Sequence, residues 1–183
     1  MVEMATQPVD QYTLEQYLEL EDTLEYRSEF HDGVILPVEL ATPTHARLEA
    51  RVISVLEKAF SNCAVYGPGL NLYIASANKV VHPDATVLCE PANYPKRDCI
   101  DNPTVIVEVI SPSTKDYNHG TKRENYFSLS TLQHYLLVSQ TEKTVGHYQR
   151  SGSGLIYVDH GSDAIVLLGK VAISVGDIYA GIL

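Results

Sequence analysis

Apolar positions recur along this chain in two periods, and each period marks out a kind of element. Leu14, Tyr17 and Leu18, with Leu24 further on, make the apolar side of a first helix, while Glu15, Glu19, Glu21 and Asp22 face water. Thr13, followed three residues later by Gln16, is a capping-box signature that opens this helix. Residues 26–31 and 34–40 flank Asp32-Gly33, a two-residue turn signal, so they form a hairpin in which Phe30 faces Ile35 and Glu29 faces Leu36. Thr42-Pro43 fits an N-cap followed by proline at the first helical position. The helix it starts carries Leu48, Val52, Val55, Leu56 and Ala59 at helical spacing and stops near Asn62.

Strand-like runs follow at 70–75 and 80–89, the second broken early by Pro83, and a polar stretch with three prolines at 90–103 reads as a loop. Residues 104–110 form a continuous β-branched run apart from Glu108, the pattern of a strand buried on both faces, and Ser111-Pro112 ends it. A short helix over 120–129, a strand over 135–138, a turn at 141–143 and a strand through Tyr148 come next. The tail, at 155–158, 165–168 and 171–175, adds short strands between glycine and aspartate turns. No internal repeat or linker interrupts the pattern, which predicts one α/β domain over 1–183 with a flexible tail at 1–11.

Composition narrows the class. With 45% hydrophobic and 20% charged residues, the chain is ordinary globular material, and no segment approaches the roughly 18 apolar residues of a membrane span. The N-terminus lacks a basic-then-apolar signal pattern, so the expected compartment is the cytoplasm. Cys63, Cys89 and Cys99 show no CxxC spacing and are expected as free, mostly buried thiols, in preference to a disulfide or a zinc site. The net charge of −10 sits awkwardly with phosphate binding. Its distribution softens the objection: residues 1–60 hold 12 acids against 4 bases, whereas 111–183 hold 6 of each.

Glu108 carries the most information. A carboxylate inside Val105-Ile106-Val107-Glu108-Val109-Ile110 leaves water unless the strand ends at an open cleft, and burying it unpaired favours protonation. A buried ion pair, a protonated carboxyl and a bound cation each account for it. Asp84 removes its isolation. In His82-Pro83-Asp84-Ala85-Thr86-Val87-Leu88, alternation puts Asp84, Thr86 and Leu88 on one face, and if the two strands are neighbours the carboxylates converge. A divalent cation holds two converging carboxylates ionised, and hard oxygen ligands suit magnesium or manganese. That combination fits metal-assisted hydrolysis of a phosphate ester.

His82-Pro83-Asp84, then Glu108-Val109-Ile110-Ser111-Pro112-Ser113-Thr114, then Lys122 and Tyr126 resemble the restriction-endonuclease-like family often called Uma-two, within the PD-(D/E)XK nuclease superfamily. The likeness extends through Tyr135-Leu136-Leu137-Val138, back to Glu29, Asp32-Gly33 and His45, and on to Gly176-Asp177-Ile178-Tyr179. It implies a restriction-endonuclease-like central mixed β-sheet flanked by helices with extra β-hairpins, its core running helix, three strands, helix, strand. It also implies that Asp84 and Glu108 hold Mg (or Mn) together with the carbonyl of Val109. One departure matters: the lysine expected two residues after Glu108 is Ile110, and Lys122 on the next helix stands in its place. There it can orient water or offset transition-state charge, against the bland alternative of a solvated helix residue.

Glu29 is either a further carboxylate beside the metal or part of the hairpin's solvated face. His45 either contacts phosphate or metal-bound water, or is a half-buried residue one turn before Leu48. Tyr126 and Tyr135 pack with their hydroxyls at the cleft edge, and Ser111, Ser113 and Thr114 either bond phosphate or merely end the strand. The leading expectation is a metal-dependent endonuclease that hydrolyses DNA, with Asp84, Glu108 and Lys122 as its catalytic residues, working as a homodimer away from membranes. The alternative is a catalytically silent nuclease-like fold that binds nucleic acid or protein; the missing strand lysine and the acidic surface favour it.

Overall fold

The structure, a computed structural model, describes residues 11–152 and 154–183. The tail expected at 1–11 therefore lies, apart from Gln11, outside the described residues. Helix α1 (Leu14–Glu21) begins at the Thr13–Gln16 capping box, with both reciprocal bonds formed, and leads into the hairpin β1 (Ser28–His31) and β2 (Val34–Pro37). Its register places Phe30 opposite Ile35 and Glu29 opposite Leu36, as the Asp32-Gly33 turn requires. Helix α2 (Pro43–Ala59) follows, capped by the Thr42 side chain with Pro43 in its first turn. Next come β3 (Ala64–Tyr66), β4 (Asn71–Ile74), β5 (Lys79–Val81), β6 (Ala85–Leu88), β7 (Cys99–Ile100) and β8 (Val105–Ile110).

The crossover from β8 contains α3 (Lys115–Tyr117), a wide π turn (Asn118–Lys122) and α4 (Arg123–Phe127). It returns to β9 (His134–Ser139), which lies parallel to β8. The chain ends with β10 (Val145–Ser151), β11 (Gly154–His160), β12 (Ile165–Leu168), β13 (Val171–Ser174) and α5 (Val175–Tyr179). A six-stranded mixed sheet, ordered β11-β10-β9-β8-β6-β3, forms the centre. A five-stranded sheet, β2-β1-β5-β4-β7, and the hairpin β12-β13 complete the strands among the described residues. The order α2, β3, β6, β8, α4, β9 is the helix–three strands–helix–strand core expected of the fold, with β4, β5 and β7 inserted.

Alternation along β8 explains the two-sided core. Val105, Val107 and Val109 join Leu48, Val52 and Leu56 of α2 on one face, while Ile106 and Ile110 join Tyr126, Tyr135 and Leu137 on the other. Glu108 shares the second face by parity, amid side chains that offer it no hydration. A third cluster, Leu14, Tyr17, Leu18 and Phe30, seats α1 on the five-stranded sheet.

Several expectations need correction. The run at 80–89 is two strands in two sheets: Pro83 has no N–H to continue a ladder, and the chain passes from β5 to β6 there. The helix predicted from 120 begins at Lys115 and is interrupted at Gly120, whose φ of −99° and ψ of −109° are not helical. The loop at 90–103 contains β7, and Val175–Tyr179 coils into a helix capped by Ser174. The cysteines are not all free. Ala64 pairs with Leu88, so the next residues outward, Cys63 and Cys89, face each other and form a disulfide with Cα atoms 4.3 Å apart, leaving only Cys99 as a buried thiol. Twenty-six residues of separation hid that pair from any spacing rule.

Candidate functional site

Strands β6 and β8 are antiparallel neighbours with Ala85 opposite Val107, so Asp84 and Glu108 stand side by side at one end of the pair. Both are buried, 9% and 6% exposed. Asp84 is fixed from two sides: its Oδ2 accepts the Val109 N–H at 2.6 Å, and its Oδ1 lies 3.0 Å from His45 Nε2. Thr42, which caps α2, holds His45 at the mouth of that helix. Thr42 also donates to Gln140, whose Nε2 is 3.3 Å from His45 Nδ1. His45 is thus the side-chain partner of Asp84.

Glu108 meets the far side of the sheet. Its Oε1 accepts the Tyr126 hydroxyl at 2.6 Å and the Lys122 ammonium at 2.8 Å. Lys122 follows the kink at Gly120 in the π turn, and its ammonium lies over the Tyr126 ring, 5.8 Å from the centroid. Tyr126 packs edge-on against Tyr135, whose hydroxyl donates to Asn118 in the same turn. The solvated-helix alternative for Lys122 does not describe this structure. Glu29 is also off the solvated face, with Oε2 2.8 Å from His31 Nε2 and Oε1 accepting the His82 N–H at 3.4 Å. Ser111, Ser113 and Thr114 bond one another in a turn after β8, which accounts for them without a ligand.

The electrostatics follow from burial. Desolvation pushes Glu108 up to about 7; Lys122 opposes that shift, and the neighbouring Asp84 charge adds to it. Burial alone would depress Lys122, but Glu108, Glu29 and Asp84 outweigh it and hold the ammonium above the ordinary lysine value. In this coupled pair the ammonium keeps its charge, and the carboxylate bears the cost of the dry site. Glu29 lies below the usual carboxylate range: burial raises it, but His31 and Lys122 more than offset that. The Asp84 contact raises His45.

The donor set fits a hard divalent cation. Glu108 Oε2 makes no hydrogen bond among the described residues, Asp84 offers a second carboxylate beside it, and a cation would offset both the burial and the Asp84 repulsion that raise Glu108. Ligand atoms of Asp84, His45 and Glu49 also lie within 4.8 Å of one another, a grouping that overlaps the first at Asp84. Sequence reasoning passed over Glu49, Gln140, His31 and Asn118. Glu49 follows His45 by one helical turn, a spacing that could have flagged it, whereas the other three meet the site only through long-range packing.

The family model described as "Uma2: Putative restriction endonuclease" matches residues 14–169. "Uncharacterized protein slr1290" of Synechocystis sp. (strain ATCC 27184 / PCC 6803 / Kazusa) is 28% identical over 180 residues, 96% of this chain and 95% of that protein. "Uncharacterized protein sll1609" of the same organism is 30% identical over 144 residues, covering 76% and 81%. Among solved structures, one described as "a putative nuclease belonging to DUF820 from Anabaena variabilis ATCC 29413" superposes with a TM-score of 0.73 at 18% identity. The match covers 94% of this chain and 99% of that one. At that identity the likeness speaks for the fold.

Proposed function

Since the chain belongs to the Uma2 family of putative restriction endonucleases, we propose that it is a metal-dependent endonuclease that hydrolyses phosphodiester bonds in DNA at the Asp84–Glu108–Lys122 site. The observation that carries the reading is the placement of Lys122: it departs from the strand position yet delivers its ammonium to 2.8 Å from Glu108. Asp84 and Glu108, with the Val109 carbonyl, would hold Mg (or Mn). When bound, such a cation supplies Lewis acidity and positive charge at the scissile phosphate.

The chain's own groups do the positioning. The Val109 N–H and His45 fix Asp84, so its carboxylate cannot swing away. Tyr126 fixes Glu108 through one oxygen and leaves the other without a hydrogen bond among the described residues. Lys122 stays protonated and offers a compact point charge to a phosphate oxygen as negative charge shifts in the transition state. Hydrolysis of both strands of a duplex by one site per chain calls for two copies, an argument from analogy with other nucleases.

Ile110 in the strand-lysine position and the net charge of −10 favour the silent, binding-only alternative. Against it stands the cost of keeping three ionisable groups in a nearly dry pocket, which a mere binding module does not need. Supercoiled plasmid and single-stranded DNA incubated with magnesium, manganese or chelator separate the two readings. We expect cleavage by wild type with either metal, none in chelator, and none by Asp84→Asn. Absence of cleavage on every substrate and metal would establish the silent module.

A further inference from the structure

Strand β11 closes one edge of the central sheet, and no other strand among the described residues pairs with its outer side. It runs seven residues in one-to-one register with β10, without a bulge, and carries no lysine, arginine or proline. Its middle is Leu155-Ile156-Tyr157-Val158, four consecutive apolar residues that are 39–50% exposed. Its one carboxylate, Asp159, accepts from the Tyr157 hydroxyl. Long, flat, apolar edges without charges are the kind that add another strand. The opposite edge, β3, is only three residues long and is tied down by Cys63–Cys89.

The backbone phase says what fits. The Arg150 N–H donates to the Gln133 carbonyl at 2.9 Å, on the β9 side, so Arg150 turns its polar groups away from β11. Arg150 pairs with Leu155, which makes this a non-hydrogen-bonded pair and points the Leu155 N–H and C=O to the open edge. Alternation puts those of Tyr157 and Asp159 there too. These three residues are symmetric about Tyr157. A second β11 laid antiparallel on a two-fold axis through Tyr157 sets Tyr157 opposite the partner's Tyr157, Leu155 opposite the partner's Asp159, and Ile156 opposite the partner's Val158. Every outward group then finds a mate, and each paired side chain stays on its own face of the sheet.

We propose that two copies of this chain dimerise through β11, joining their central sheets into one continuous twelve-stranded sheet. A second copy is the favoured occupant because the edge is complementary to itself in hydrogen-bond phase and sets the apolar Ile156 and Val158 against each other on both sides of the axis, the condition for a closed two-fold interface. The apolar patch is on the order of 300 Å² per copy, which places the contact at the small end of specific interfaces. The interface stands apart from the Asp84–Glu108 site, so it can be tested whether or not that site turns over.

Sedimentation of the full chain between about 1 and 200 µM should show a monomer–dimer equilibrium. Ile156→Lys with Val158→Lys places like charges opposite each other twice across the axis and should weaken association at least tenfold without changing the unfolding midpoint. Ile156→Lys with Val158→Glu makes both cross-axis pairs opposite in charge and should restore it. Amide hydrogen exchange supplies the register: Leu155, Tyr157 and Asp159 should be protected at high concentration and fast on dilution, while Ile156 and Val158 stay protected throughout. A monomer at every concentration overturns the proposal, as does a double-lysine variant that dimerises like wild type or equal exchange of the three amides at both extremes.

Discussion

Replacing Glu108 by glutamine should stabilise the metal-free protein at pH 8 and leave it unchanged near pH 4.5. Glutamine keeps the shape of the protonated carboxyl and cannot ionise. In the fold, burial lifts Glu108 from its ordinary 4.5 to about 7, a balance that already includes the help of Lys122 and Tyr126. A carboxyl that binds its proton more tightly folded than unfolded contributes stability that is fully present below about 4.5 and lost as pH rises through about 7. At about 1.4 kcal/mol per pH unit, wild type forfeits about 3 kcal/mol across that window, an order-of-magnitude figure, and the glutamine variant forfeits none of it. Urea unfolding in chelator at pH 4.5, 6, 7 and 8 reads the difference directly. The two proteins should coincide at the lowest pH and separate progressively, with the variant ahead. If wild type is the more stable at pH 8, the Lys122–Glu108 pair is a net structural ion pair and the reasoning from burial fails.

Other consequences follow from the same contacts. Asp84→Asn removes one of two converging charges and should abolish manganese binding in calorimetry while keeping the metal-free fold at least as stable as wild type. Tyr126→Phe deletes a hydrogen bond that favours ionised Glu108, so manganese binding should need a higher pH than in wild type, which titrations at pH 6 and 8 would show. Reduction of Cys63–Cys89 should cost about 3.5 kcal/mol, the loop-closure value for a loop of some 26 residues, seen as a lower urea midpoint with reductant that is absent in Cys63→Ser with Cys89→Ser.

Local chemistry was the legible part of this fold. The Thr13–Gln16 box, the Asp32-Gly33 turn and Thr42-Pro43 each act within a few residues, and the elements they bound form where the pattern puts them. The convergence of Asp84 and Glu108 was legible because a charge within an apolar strand needs a partner and strand parity limits where that partner stands. What escaped depends on tertiary neighbours. No spacing rule pairs Cys63 with Cys89 or brings Gln140 to His45 across 95 residues. The run at 80–89 looked like one strand because apolar pattern cannot tell which sheet each half joins. The kink at Gly120, just before Lys122, is likewise invisible to periodicity, because an irregular backbone leaves no periodic trace.

The central claim, that Asp84, Glu108 and Lys122 are one catalytic unit, is tested most directly by single-turnover DNA cleavage at saturating manganese, comparing wild type with Lys122→Met. An ammonium that acts on transition-state charge changes the rate far more than the binding of metal or substrate. The account predicts cleavage slower by about two orders of magnitude, with manganese affinity within about threefold of wild type and partial recovery in Lys122→Arg. Equal cleavage rates for wild type and Lys122→Met would contradict it.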